Sequence, residues 1–153
     1  MADNAETIRQ FYEAFDRHDG DTMAGLYAPD GRFRDPVFGD LSGAEAGDMW
    51  RMLTGRSEDL RVELADHSAE GDTGTAHWIA TYTFSTGRQV VNDIQARFRF
   101  RDGKIVEHDD SFSFSRWARQ ALGPAGYVLG LPPMNQLVRR KARGDLTEFR
   151  GES

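Results

Sequence analysis

The sequence predicts an α+β fold: a curved antiparallel sheet wrapped as a cone around N-terminal helices, followed by an extra helical tail. Three observations predict it. Ile8, Phe11, Tyr12 and Phe15 recur at helical spacing near the start of the chain. Leu60, Val62 and Leu64 alternate with polar residues, and Ala96, Phe98 and Phe100 alternate with Arg97, Arg99 and Arg101, the two-residue period of half-buried strands. The helices come first and the strands then follow one another without intervening helices, which places helices on one face of an antiparallel sheet rather than around a parallel one. A sheet bent round a helix leaves a concave, mostly apolar pocket.

Each element has its own warrant. Asp3 and Glu6 have the spacing of a capping box at the head of a helix from about residue 4 to 17. His18-Asp19-Gly20-Asp21 ends it and opens a second helix carrying Met23, Leu26 and Tyr27. Pro29-Asp30-Gly31 reads as a turn before a short strand, Arg32 to Asp35. Ser42 and Glu45 form a second capping box, and Met49, Trp50 and Leu53 give the helix behind it an apolar side. Strands follow over Leu60–Leu64, Thr75–Ser85, Arg88–Arg101 and Ile105–Phe114, the last pair joined by the hairpin signal Asp102-Gly103. In the tail, Arg116–Leu122 reads as a short helix stopped by Gly123-Pro124. Tyr127–Leu131 reads as an apolar link, and Met134–Phe149 as a final helix. The chain therefore divides into a core domain, 1–115, and a helical extension, 116–153, expected to fold over the pocket mouth of the same domain or onto a partner subunit.

Composition narrows the class. The 153 residues fit one domain with a real core, and 39% hydrophobic content argues against disorder. No apolar run is long enough to span a bilayer, and MADNAETIRQ lacks the basic-then-apolar form of a signal peptide, so a cytoplasmic, non-membrane protein is expected. There is no cysteine, hence no disulfide, thiolate metal site or cysteine nucleophile. The net charge of −6 argues against a nucleic-acid partner. The basic cluster Arg139, Arg140, Lys141 and Arg143 reads as the solvated face of the final helix.

The chemistry centres on Asp35, in the run FRDPVFG. Phe33, Val37 and Phe38 surround it, and Pro36 forces it out of the helical region. A carboxylate in apolar surroundings has its charged form disfavoured, which raises its pKa into the range useful for proton transfer. The same dipeptide is also ordinary turn chemistry. Strand alternation turns Arg32 and Arg34 away from Asp35. On the last strand, His108 and Asp110 share a face. The plain reading of that placement is a satisfied polar pair at the sheet rim. His77 reads as a structural hydrogen-bonder. No tight spacing supports a metal site at His77, His108 and Asp110, and no metal or cofactor is expected. Trp50, Trp78, Phe98 and Phe112 are core or pocket wall, and Asn92 can present its amide to a ligand or only to the backbone. Ser111, Ser113 and Ser115 lack a nucleophile elbow, and no glycine loop for phosphate exists.

The element order and several motifs resemble the nuclear transport factor two-like superfamily, and within it ketosteroid isomerases and SnoaL-like polyketide cyclases. The resemblance spans Ile8 to about Phe112. It rests on FYEAFDRHDGDTMAGLYAPDGRFRDPVFG at 11–39, TGR at 86–88, RFRF at 97–100 and DGKI at 102–105. It implies that Asp35 stands at the place of the isomerase general base and Tyr12 at that of the phenol donating to the enolate oxygen, a pairing known from ketosteroid isomerase itself. Ala96 occupies the place of that enzyme's second oxyanion donor, so half of the oxyanion hole is missing. SnoaL-like cyclases carry an acid–base aspartate on a late strand, which makes Asp110 its candidate here, with His108 as donor or relay. The implied activity is cofactor-independent proton transfer next to a carbonyl, as an isomerase or aldol cyclase, on a small hydrophobic ring-containing substrate. A homodimer is also implied. The alternatives are a non-catalytic small-molecule binding domain and a dimerisation module with a vestigial pocket.

Overall fold

A computed structural model describes residues 3–151. Helix α1, Asn4–Asp16, is capped by the Asp3 side chain, which accepts from the Ala5 and Glu6 amides. The return arm of the expected capping box is absent because Glu6 pairs with Arg9. Helix α2 is Gly20–Gly25. Strand β1, Tyr27–Asp35, and strand β2, Gly39–Ser42, lead into α3, Gly43–Arg56, with the Ser42–Glu45 capping box complete. Strands β3 (Arg61–Glu70), β4 (Thr73–Thr83), β5 (Gln89–Arg101) and β6 (Lys104–Ser111) follow. The tail comprises α4 (Phe114–Leu122), a 3-10 turn, α5 (Gly126–Leu129) and α6 (Asn135–Gly151).

Among the described residues the strands form one curved, unclosed six-stranded sheet in the order β2-β1-β6-β5-β4-β3. The β5–β6 turn takes positive φ at both Asp102 and Gly103, the geometry that matches strand twist in a tight hairpin. The inward face of the sheet packs on α1 and α3. Phe11, Tyr12 and Phe15 of α1 meet Trp50 of α3, Trp78 of β4 and Phe98 of β5 in tilted or edge-on ring contacts.

Several expectations needed correction. Tyr27 is not the end of α2 but the first residue of a longer β1, because the Ile105 amide donates to Leu26 O and draws the chain onto β6. The stretch read as the Pro29-Asp30-Gly31 turn is a bulge within that strand, where the register shifts between Tyr27 and Arg32. The pairing of β1 with β6 is parallel, the one departure from an antiparallel sheet, and β2 adds a sixth strand that four residues of sequence did not reveal. The Tyr127–Leu131 link contains α5.

The tail contacts its own chain. The Trp117 indole donates to the Tyr82 hydroxyl at 2.8 Å, Arg88 donates to Gln120 O at 2.9 Å, and Val91 N donates to the Gln120 side chain at 2.8 Å, fixing α4 to the β4–β5 hairpin. The basic cluster is not simply a solvated face. Arg139 Nε donates to Pro36 O at 2.6 Å and Arg143 donates to Phe38 O at 2.8 Å, so α6 grips the turn that follows Asp35. Arg139 also lies over the Phe114 ring. No described helix is long and apolar enough to cross a membrane.

Candidate functional site

Asp35 ends β1, with its side chain on the face of Phe33 and away from Arg32 and Arg34, which are exposed. Arg34 pairs with Asp40 across the β1–β2 hairpin at 2.8 Å and leaves Asp35 alone. The Asp35 carboxylate accepts from the Val37 amide at 3.0 Å and from Phe38 N, so it also shapes the turn. Both readings of the Asp-Pro motif therefore describe the same side chain. Although the residue as a whole is half-buried, its carboxyl is enclosed. Burial pushes its pKa up to about 7, against the backbone amides that favour its charge, and the nearby Asp110 adds to the rise.

The parallel pairing sets Phe33 opposite His108 and Arg34 opposite Asp109, which brings the end of β1 alongside Asp110. His108 and Asp110 are 2% and 4% exposed, far from a rim position. His108 Nε2 lies 2.8 Å from Asp110 Oδ1. Its other nitrogen, Nδ1, lies 2.8 Å from the Tyr27 hydroxyl, which accepts from the Trp50 indole N–H at 2.9 Å. Tyr27, a strand residue, and Trp50, a donor as well as wall, thus belong to the cluster. The only signal was a tyrosine next to the strand that carries Asp35.

Tyr12 projects from α1 into the same interior. Burial, with the charges of Asp110 and Tyr27 behind it, holds its phenol neutral, well above the usual tyrosine range, while the Trp78 indole opposes this slightly. The Trp78 indole N–H is the donor beside its oxygen, with the two rings 5.3 Å apart. Phe98 stacks on His108 with ring centres 4.3 Å apart, and Phe11, Phe33 and Trp50 close the remaining sides. Asn92 is half-buried opposite Ala80, and Phe112 lies just beyond β6, also half-buried. His77 faces the outer side of the sheet, bonded to Asp93 at 2.7 Å, so it does not meet His108 and Asp110. Shallow cavities of about 90 and 350 Å³ lie elsewhere, one against Leu41, Leu146 and Arg150 and one against Arg61, Val62 and Ile79.

The cone and its buried carboxylate, imidazole and phenol groups define a nuclear transport factor two-like domain. The family model of the SnoaL-like domain matches residues 8–108, and the chain belongs to that family. Asp110 lies just past the matched segment. No curated protein matches the chain. Among solved structures, it is similar to a protein of ketosteroid isomerase-like fold from Catenulispora acidiphila, in complex with trimethylamine. That protein is 22% identical, with 78% of this chain and 95% of that one covered and a TM-score of 0.68. It is also similar to IdmH, a polyketide cyclase candidate from Streptomyces antibioticus, at 25% identity, 76% and 96% coverage and a TM-score of 0.63. A third is an LEH-like epoxide hydrolase of M. tuberculosis, at 19% identity, 82% and 92% coverage and a TM-score of 0.66.

Proposed function

We propose that this protein catalyses cofactor-independent proton transfer next to a carbonyl, as an isomerase or aldol cyclase, on a small hydrophobic ring-containing substrate. The observation that carries the reading is the Asp35 carboxyl. It is poised near neutrality by burial, free of any arginine, and set beside the His108–Asp110 pair. A general base works best when its pKa lies near the working pH. Asp35 takes the proton α to the carbonyl, the electron pair moves to the oxygen, and Tyr12 donates to that oxygen. Asp110, held by His108, is the acid–base group on the neighbouring strand. Phe98 and Trp78 form the apolar walls, Phe112 and Asn92 the margin, and a homodimer is the expected assembly.

A second reading, a non-catalytic binding or dimerisation domain of the same fold, is favoured by the tight aromatic packing around His108. The two separate in heavy water. Incubation with a β,γ-unsaturated cyclic ketone should give deuterium exchange at the α-carbon in the wild type, and Asp35→Asn should abolish it with little change in stability. Equal, background exchange in both proteins would leave the binding reading.

A further inference from the structure

Helix α5 inverts the usual order of a surface helix, which turns its large apolar residues inwards. A Cβ at Gly126 would lie 2.2 Å from Ala118 O, and one at Gly130 would lie 3.1 Å from the Ala118 side chain, so the glycine side is pressed onto α4. Tyr127, Val128 and Leu131 are thereby held outwards, with Tyr127 64% exposed. Met134 and Leu137 continue the same exposed surface into α6. Among the described residues, Val91 is the one other large hydrophobic left exposed. Apolar residues scattered singly over a surface need no cause, but a gathered patch marks an interaction site. The patch lies beyond the segment 8–108 that matches the family, so the shared domain does not account for it.

Its rim is basic. Arg119 lies over the Tyr127 ring, 5.5 Å from the centroid. Arg116 stands one turn before it on α4, and Arg140 one turn after Leu137 on α6, both exposed. None of these three arginines makes an ion pair among the described residues, and Lys141 meets only Asp145, at 3.4 Å. The extension 116–153 holds seven basic and three acidic residues, in a chain whose net charge is −6.

We infer that this patch docks the protein on an anionic phospholipid membrane. The apolar side chains enter the headgroup boundary, and the arginines meet the charged headgroups around them. No described helix is long and apolar enough to cross a bilayer, so the attachment is peripheral. Charge complementarity selects this occupant over a second copy of the chain, because two such patches face to face would set one arginine rim against the other. The inference does not rest on the proton-transfer reading.

The test uses the full chain with two kinds of vesicle at low salt: phosphatidylcholine alone, and phosphatidylcholine with phosphatidylserine in equal parts. The protein should sediment with the mixed vesicles and not with the neutral ones. Tyr127→Trp adds an exposed indole to three buried ones, and its emission should shift to the blue on the mixed vesicles. Val128→Asp and Leu131→Asp change exposed side chains, so both should fold normally, and each should weaken binding at least about tenfold, the scale of losing one buried aliphatic side chain. Arg119→Gln and Arg140→Gln should each weaken it about fivefold, and added salt should weaken the wild type. Absence of sedimentation with either vesicle, equal binding to both, or binding unchanged in Val128→Asp and Leu131→Asp would overturn the inference. So would a wild-type dimer that Leu131→Asp makes monomeric, which assigns the patch to a second copy. An equal emission shift with soluble polyglutamate would overturn it too, in favour of an acidic protein.

Discussion

The Tyr27 hydroxyl and His108 Nδ1 lie 2.8 Å apart, 81 positions apart in the chain, and the direction of the bond between them follows from a third residue. Trp50 can only donate, so the Tyr27 oxygen accepts from it and its own proton goes to His108 Nδ1. His108 then carries its proton on Nε2 and gives it to Asp110. The chain of donors runs one way, from indole to phenol to imidazole to carboxylate.

The Nε2–H tautomer of His108 is therefore expected in the wild type and measurable from its ring 15N shifts. Tyr27→Phe removes the donor to Nδ1 and strands the Trp50 N–H. It should give mixed tautomers and lose about 1–3 kcal/mol of stability. An unchanged tautomer in that variant would show that Tyr27 does not set it.

Asp35 predicts two pH dependences. Its folded pKa of about 7 lies above the ordinary 3.8, so between those values the folded state holds the proton more tightly than the unfolded one. Its stabilising contribution is complete below about pH 4 and lost as pH rises through 7. The base form needed for catalysis appears over the same upper range, so turnover should rise with pH to an inflection near 7. Asp35→Asn should flatten the stability slope in denaturant titrations. A slope unchanged by the substitution would place the proton elsewhere.

Arg139 ties α6 to the turn after Asp35 through Pro36 O and stacks on Phe114. Arg139→Met keeps the stem and loses the charged donor, and should cost about 1–3 kcal/mol. Because Pro36 follows Asp35 directly, the same change should shift the Asp35 inflection in the pH–rate profile. A variant that melts lower but keeps the inflection would make the grip structural only.

Ala96 is 2% exposed and pairs in register with Asp110. Ala96→Asp would put a second carboxyl directly across from the first, within about 4.5–5.5 Å at Cβ. Two such groups resist double ionisation, so the variant should be less stable at pH 8 than at pH 5 by more than the wild type. Gain of isomerase activity without that pH penalty would show that the two side chains diverge.

Much of this was legible locally. The period of α1, the Ser42 cap, the β5–β6 hairpin and the common face of His108 and Asp110 each depend on neighbours within a few residues. The cone follows from the order of those signals, and the family from the resemblance of the runs at 11–39, 86–88, 97–100 and 102–105. What escaped was non-local. No local pattern marks Tyr27 as a strand, because a bulge separates it from Arg32 and its pairing partner is Ile105. Arg139 and Arg143 look like any solvated basic run until their acceptors are known, and these lie 103 and 105 positions away. The approach of Trp78 to Tyr12 is invisible to periodicity, since an inward tryptophan scans as core whatever its N–H meets.

Strand β1 also sets an order of assembly. It sits between β6 and the four-residue β2, so during synthesis it gains its main neighbour only after the other long strands have been made. Until then its β6-facing edge offers unpaired amides and carbonyls beside Phe33 and Tyr27, a surface that invites pairing with another chain. Closing the sheet is thus a late, long-loop event, and refolding from denaturant should be slow for a domain of this size. The aspartate of β1 acquires its surroundings only at that closing step.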